Sequence, residues 1–336
     1  MHLKPTLAAA LCAACQIALA QAPSGIVMRI DLKDFVVYQI DVSDPAKLAT
    51  DPGIVRTAAP ARPFASFESI ADVVAVNGQP VKGTWVDRAG WVKLSPNPQS
   101  GANAQAIGDT TRSVFVEWHC EIMQEDGTPV GSIAGIGLNG GSPPPGAPSG
   151  STGGTWIVTG GTGAFLGMRG QGAFGNASIA IDTRRSAIED PANRRFNGGA
   201  ALPLILQLIP MFRPEVVSTA GEPAVFHADF SPVTSAKPAK AGEVLIVRAT
   251  GLGPTVPGVD PGQPFPSDAL LQQVNSPLAV SVNGKPADVI NGIGWPGQVD
   301  TYRVDFRVPD GTAPGTASIQ LTAAWIAGPS ANVPVQ

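Results

Sequence analysis

The chain has 336 residues, with 39 glycines, 33 prolines, 14% charged and 6% aromatic residues, and a formal net charge of −4. This length favours two domains with cores of their own, and the many turn-forming residues favour short strands over long helices. The acidic balance gives no electrostatic attraction for nucleic acid, so we expect no nucleic-acid partner.

The chain begins with an apolar segment. Residues 1–20 combine Lys4, an apolar stretch and a small-x-small ending, which together are typical of a secretory signal peptide. We expect cleavage near Ala20 and export of the mature chain. The stretch is shorter than the roughly 20 residues that a membrane-spanning helix needs. A lipoprotein signal is the weaker alternative, because neither cysteine in this segment has a leucine three residues upstream.

Alternating sequence then predicts strands over 26–42 and 67–94, the second interrupted by an Asn-Gly turn and by a further turn at 88–90. The clearest alternation lies in 110–123, and it requires one face of a strand to be in a core. One face carries Val114, Val116, Trp118, Cys120 and Ile122, and the other carries Phe115, Glu117, His119, Glu121 and Met123. A turn at Asp126-Gly127 follows, then another strand and a loop over 139–154.

The next segment, TWIVTGGTGAFLGMRGQGAF at 155–174, runs from an apolar strand into closely spaced glycines. A dinucleotide-binding unit begins in the same way, but it needs a third glycine three residues after Gly163, where Leu166 stands, and then a helix. The following residues alternate instead, so we expect strand, turn and strand to about 181, with no bound nucleotide. The apolar run 201–212 contains two prolines and predicts a closing strand and the domain exit.

The glycine-rich segment also resembles a known family. Its residues match the GGTG-x-F and R-G signature of the dirigent and allene-oxide-cyclase-like barrels: Gly160, Gly161, Thr162, Gly163, Phe165, Arg169 and Gly170. The resemblance covers roughly 110–182. It implies an eight-stranded antiparallel barrel over 25–212 whose mouth holds a hydrophobic ligand. Dirigents steer radical coupling without oxidising anything, and the cyclases close a ring. Only the turn motif carries over, and no family catalytic residue does.

A second unit is predicted over 215–336. Its strands lie in EVLIVRATGLG, LAVSVNGKPADVI, DTYRVDFRVP and TASIQLTAAWIAG, at the spacing of a β-sandwich. Tyr302, Val304, Phe306 and Val308 form its predicted inward face. The segment resembles the IPT/TIG immunoglobulin-like domain found at the C-terminus of secreted acidobacterial proteins. That resemblance implies a module for interaction, display or spacing.

Few residues suit catalysis or metal binding. If the polar face of 110–123 lined the lumen, Glu117, His119 and Glu121 could act as acid and base; the apolar face fits the interior better. Arg169 either binds an anion or pairs with an acidic side chain at the rim. Two histidines and Cys120 in the mature chain are too few for a zinc site, so we expect neither metal nor cofactor, and Cys120 as a buried apolar group. Four tryptophans either line a ligand pocket or fill the core: Trp85, Trp91, Trp118 and Trp156.

These observations predict an all-β chain, with an eight-stranded antiparallel barrel followed by an Ig-like β-sandwich. We expect a secreted or cell-surface, non-enzymatic protein whose barrel binds a small hydrophobic ligand and whose C-terminal module serves interaction or display. The expected partner is a small hydrophobic molecule or a cell-envelope component. One alternative is a cofactor-independent cyclase or isomerase, and another is a purely structural adhesion or spacer protein. Nothing in the sequence determines an oligomeric state.

Overall fold

The structure is a computed structural model, and the residues that it describes are 25–39, 66–94, 112–139, 155–175, 184–186, 189–267 and 270–336. The predicted signal peptide and nearly all of the predicted loop at 139–154 lie outside the described residues.

Over the described residues, the first sheet contains ten strands. They are β1 (Ile26–Gln39), β2 (Ser66–Val76), β3 (Gln79–Pro80), β4 (Lys82–Leu94), β5 (Arg112–Met123), β6 (Pro129–Asn139), β7 (Thr155–Gly163), β8 (Arg169–Phe174), β9 (Arg184–Ser186) and β10 (Ala200–Ile209). All except β3 and β9 form a ring in the order β2–β4–β5–β6–β7–β8–β10–β1, which the β1–β2 pairing closes. The predicted eight-stranded antiparallel barrel and the all-β class are thereby confirmed.

Strand β5 shows how the sequence builds this barrel. Val116, Trp118, Cys120 and Ile122 are buried, and Phe115, Glu117, His119 and Glu121 are exposed. The period-2 pattern therefore puts the apolar face inside and the polar face outside. Cys120 is fully buried, as predicted, and burial raises the pKa of its thiol to about 12.

Two turn predictions in 67–94 have different outcomes. Asn77 and Gly78 have φ angles of 49° and 80°, as the predicted Asn-Gly hairpin turn requires. The turn predicted at 88–90 is wrong, because β4 continues to Leu94 and Gly90 pairs with Phe115 of β5. Gly90 is not among the residues with positive φ, so it simply continues the strand.

The glycine-rich segment forms strand, turn and strand. β7 ends at Gly163, where φ is 59°, and the Phe165 amide donates to the Thr162 carbonyl at 3.0 Å to form the turn. A Cβ atom on Gly163 would lie 2.4 Å from the Val130 carbonyl oxygen, so both φ and space require glycine here. β8 starts at Arg169 and leaves no room for a helix that could hold a phosphate.

The segment before β10 is helical for only a few residues. A 3-10 turn (Pro191–Asn193) leads into a one-turn helix (Arg194–Asn197), and Arg194 and Arg195 both bind the Asp72 carboxylate of β2. The predicted closing strand is β10, which pairs with β1 and β8. Among the described residues, no helix has the length and apolarity to span a bilayer.

The second unit is also built from strands. They are β11 (Glu215–Val216), β12 (Ser218–Thr219), β13 (Glu222–Pro223), β14 (Val225–His227), β15 (Val244–Thr250), β16 (Thr255–Val256), β17 (Gln273–Val274), β18 (Leu278–Val282), β19 (Lys285–Gly294), β20 (Tyr302–Arg307), β21 (Gly315–Ala323) and β22 (Ile326–Val335). β19 pairs first with β18 and then, from Asp288, with β20, so the sheet folds over a single apolar core. The four residues predicted to face inward, Tyr302, Val304, Phe306 and Val308, are all buried there.

The second unit also contributes to the barrel core. Ala324 and Ile326, at the tip of the β21–β22 hairpin, are buried in the barrel's apolar cluster, and Trp325 packs against it. Two polar contacts lie nearby: the Gln124 side chain donates to the Asn275 carbonyl at 2.8 Å, and the Asn275 side chain donates to the Pro129 carbonyl. The hairpin tip therefore closes one end of the barrel.

Candidate functional site

The two ends of the barrel carry different connections, because successive antiparallel strands reverse direction. At the short-turn end, the connections are 77–81, 124–128 and 164–168. The second unit follows β10 and packs at this same end. At the opposite, long-connection end, the segments that join barrel strands are 40–65, 95–111, 140–154 and 175–199. Ligand sites in barrels are found at their mouths, so the long-connection end is the place to look for one.

A stack of aromatic rings fills the middle of the barrel. Trp85 stacks on Trp118 with ring centroids 5.0 Å apart and on Trp156 at 5.8 Å, and Phe174 meets Trp156 edge-on at 4.6 Å. Gly135 makes room for this stack, since a Cβ atom there would lie 2.4 Å from the Trp118 ring. Three of the four tryptophans singled out from the sequence thus lie in the interior; the side chain of the fourth, Trp91, lies outside the described residues.

One carboxyl group lies inside the barrel beside this stack. Asp87 is two residues beyond Trp85 on β4, so it shares the inward face and lies on the long-connection side of the rings. The side chain is buried, with only 4% of the residue exposed. The Trp85 indole N–H donates to Asp87 Oδ2 at 3.3 Å.

The strand register puts two more polar groups next to this carboxyl. Ser69 of β2 lies directly opposite Asp87 on one side, and Trp118 of β5 lies directly opposite it on the other. Ser69 Oγ, Asp87 Oδ1 and Trp118 Nε1 are all buried, and none has a hydrogen-bond partner in the described part of the chain. Three adjacent strands therefore carry buried polar atoms without partners on the inward face at one level of the barrel, and we call these residues the interior polar row (Ser69, Asp87, Trp118).

Burial also changes the acidity of Asp87. Loss of hydration raises its pKa from the ordinary value of 3.8 to about 7, because the charged form is penalised inside the barrel. The Ser69 hydroxyl and amide lie close enough to Asp87 to favour its charged form, although Ser69 Oγ and Asp87 Oδ1 do not meet full hydrogen-bond geometry. The Trp85 N–H also favours the charged form, while the Glu68 carboxylate adds to the rise. Asp87 can consequently be either a proton donor or a carboxylate near neutral pH.

The residues proposed from the sequence as acid and base lie elsewhere. Glu117, His119 and Glu121 are exposed on the outer face of β5, while the interior polar row faces inward. The residue that sequence reasoning missed is Asp87. Its signal is present in the sequence: an aspartate stands on the apolar face of a period-2 strand, between Trp85 and Ala89.

Close packing at its glycines and a hydrogen bond of its threonine stabilise the barrel turn motif. A Cβ atom on Gly161 would lie 2.5 Å from the Phe165 carbonyl oxygen, and one on Gly170 would lie 2.1 Å from the Gln207 carbonyl oxygen. The Thr162 hydroxyl hydrogen-bonds the Ser132 hydroxyl at 2.7 Å, and Phe165 is buried.

Arg169 of the motif has two predicted roles. Its guanidinium donates to the Met168 carbonyl at 3.0 Å and lies over Gly160, and within the described ranges it has no acidic partner. Within the described residues, the exposed guanidinium makes only this local contact with the turn, and its predicted roles in anion binding or ion pairing stay predictions.

The described residues contain no group of three or more His, Cys, Asp and Glu side chains that could hold a metal ion. The interior polar row offers three hydrogen-bonding groups, one of which is titratable, beside the tryptophan rings. Comparison of the sequence with models of known protein families finds no match, and neither does comparison with curated proteins.

Proposed function

We propose that the barrel binds one small, largely apolar molecule and holds a polar group of that molecule at the interior polar row. The observation that carries this proposal is the set of three buried, unpaired atoms, Ser69 Oγ, Asp87 Oδ1 and Trp118 Nε1, on neighbouring strands. Leaving a buried polar atom without a partner costs about 1–3 kcal/mol, and native proteins contain few of them.

The chemistry of the row favours a hydroxyl-bearing ligand. The Trp118 indole N–H can only donate, the ionised Asp87 carboxylate can only accept, and Ser69 can do both. A hydroxyl can accept from Trp118 and donate to Asp87 at the same time, whereas a carboxylate would be repelled by Asp87. The tryptophan stack offers the apolar part of the ligand an aromatic surface.

The family likeness points in the same direction. We propose that the barrel is related to the dirigent and allene-oxide-cyclase-like barrels, supported by the position of the GGTG turn between two barrel strands. We further propose that the second unit is an IPT/TIG-like module that contacts a cell-envelope component. The features of residues 1–20 support export of the chain.

Native mass spectrometry of protein exported by its own host tests the binding proposal. We expect wild-type protein to carry the extra mass of one small molecule after mild purification. The Asp87→Leu variant should lose that mass, because it removes the polar partner while filling a similar space. Glu117→Gln, on the outer face of the barrel, is the matched control and should keep it.

Two results would contradict the proposal. One is a wild-type spectrum without any bound mass, which would favour a packed structural spacer. The other is an equal bound mass in wild-type and Asp87→Leu protein, which would put the ligand elsewhere.

A second candidate is a cofactor-independent cyclase or isomerase, favoured by the raised pKa of Asp87. A carboxyl group with a pKa of about 7 can take up and return a proton near neutral pH. If this candidate is right, the Asp87→Asn variant should still bind the molecule but release it unchanged, whereas wild-type protein should release a rearranged isomer. Chromatography of the extracted molecules from both proteins distinguishes catalysis from binding alone.

A further inference from the structure

A group of two aromatic and two arginine side chains lies together on the outer face of the second sheet. Arg248 of β15 lies directly opposite Arg303 of β20. The Arg248 guanidinium carbon lies 5.9 Å from the centre of the Trp295 ring, and that of Arg303 lies 5.2 Å from the centre of the Phe230 ring. The two rings meet at 6.4 Å, roughly at right angles. We call these four residues the aromatic–arginine cluster.

The charges in this cluster do not balance. Arg303 makes two hydrogen bonds of 2.8 Å to the Asp305 carboxylate, which neutralises it. Arg248 binds only the neutral Gln298 amide oxygen at 3.0 Å, and its Nε is buried without a partner in the described part of the chain. Within the described part of the chain, Arg248 therefore keeps a positive charge that no carboxylate neutralises.

The acidic groups nearby do not supply that anion. Asp229, next to Phe230, pairs with Lys237 at 3.0 Å. Asp300 lies in the same turn as Gln298, and over the described ranges it makes no ion pair with Arg248. One positive charge is therefore available beside two aromatic rings.

Phe230 is unusual in both exposure and backbone conformation. It is 51% exposed, and its φ of 61° lies in the left-handed region, where a bulky side chain is an outlier and glycine is favoured. Backbone strain of this kind concentrates at ligand-binding positions. Phe230 therefore holds an exposed aromatic ring in a backbone conformation that is unfavourable for phenylalanine.

We propose that the aromatic–arginine cluster binds a carboxylated sugar, such as a uronic-acid unit of an acidic polysaccharide. The sugar carboxylate pairs with Arg248, whose planar guanidinium suits a two-oxygen acceptor. The C–H face of the sugar ring packs on the exposed side of Phe230, because polarised C–H groups favour the electron-rich face of an aromatic ring. This inference is independent of what the barrel binds.

The size and charge of the cluster favour a sugar over two other anionic partners. An acidic peptide is usually held by several cations together, and here one is unpaired. An anionic bilayer surface requires a cluster of basic residues and a wider apolar face. The cluster has one unpaired cation and two aromatic rings, which matches a ligand with one negative charge and one sugar ring.

Calorimetric titration of the full chain with trigalacturonate, at low ionic strength, tests the proposal. We expect binding at least about tenfold tighter than that of the neutral trisaccharide maltotriose, as charge-assisted hydrogen bonding requires. Arg248→Gln should remove this preference. Phe230→Gly should weaken binding about fivefold, and it should still fold, because glycine relieves the left-handed backbone.

Arg307→Gln is the charge-matched control. Arg307 is exposed on β20, the strand next to that of Arg248, lies outside the cluster and donates to the Gly242 carbonyl. This variant should bind trigalacturonate like the wild type. Absence of wild-type binding, equal losses in Arg248→Gln and Arg307→Gln, or equally tight binding of triglutamate would each overturn the proposal.

Discussion

The two ends of the barrel differ in what lies inside them. At the short-turn end, apolar side chains and the tip of a hairpin from the second unit complete the core. On the long-connection side of the tryptophan stack, apolar residues such as Ala89 and Val116 share the interior with the interior polar row, whose atoms have no hydrogen-bond partner among the described residues. The apolar core thus runs through both ends of the barrel, whereas the buried polar atoms lie toward the long-connection end, where the proposed ligand would satisfy them.

Removing a ring from the stack that separates the two ends should have the largest effect. We expect Trp85→Ala to lower the free energy of unfolding by about 3–5 kcal/mol, because it creates a large cavity in a packed interior. Urea denaturation followed by circular dichroism measures the change.

The control for this variant is Ile157→Ala. Ile157 neighbours Trp156 on β7 but is 53% exposed on the outer face. Its replacement by alanine should lower the free energy of unfolding by less than about 1 kcal/mol. Similar losses in the two variants would mean that the stack is not the main support of the barrel.

The long-connection end should respond to pH through Asp87. Its folded-state pKa of about 7 lies above the ordinary value of 3.8, so its stabilising contribution is full below pH 4 and is lost as pH rises through 7. At about 1.4 kcal/mol per pKa unit, ligand-free wild type should lose roughly 4 kcal/mol relative to Asp87→Asn between pH 4 and pH 8.

Comparing the unfolding curves of the two proteins at each pH isolates the contribution of Asp87 to the free energy of unfolding, since all other titrating groups are shared. Parallel pH dependence of wild type and Asp87→Asn would show that Asp87 is solvated in the folded protein.

The short-turn end should depend on the second unit. We expect Trp325→Ala to lower stability by about 2 kcal/mol, because Trp325 packs against the barrel core. Hydrogen exchange should become faster in barrel strands, although the substitution lies in the β21–β22 hairpin. Leu270→Ala, at an exposed position of the second unit, should leave exchange unchanged. Faster exchange confined to the second unit would argue against a shared core.

The smallest effect is expected at Arg169, within the turn motif. Its exposed guanidinium donates only to a neighbouring carbonyl, so Arg169→Gln should change stability by less than about 0.5 kcal/mol. Gly163→Ala, in the same turn, should cost more than about 1 kcal/mol, because an alanine Cβ would meet the Val130 carbonyl oxygen at a positive φ. Thermal unfolding of the two variants compares them, and a larger loss for Arg169→Gln would contradict this assignment.

Local sequence signals predicted much of the fold. The alternation in β5 and the turn at Asn77-Gly78 depend on neighbouring residues alone, and both are as expected. The interior polar row was not predicted, because it depends on which residues of β2, β4 and β5 face one another once the strands pair. The hairpin tip was missed for another reason: Ala324 and Trp325 turn with left-handed φ angles of 47° and 63° but lack the glycine that usually marks such a turn.

The packing of that hairpin tip also sets the direction in which the long-connection end of the barrel points. The second unit is seated at the short-turn end, so the opposite rim points away from it. A chain tethered to a surface through its second unit would hold this rim toward the surrounding medium. The proposed ligand would then exchange without detachment of the chain from that surface.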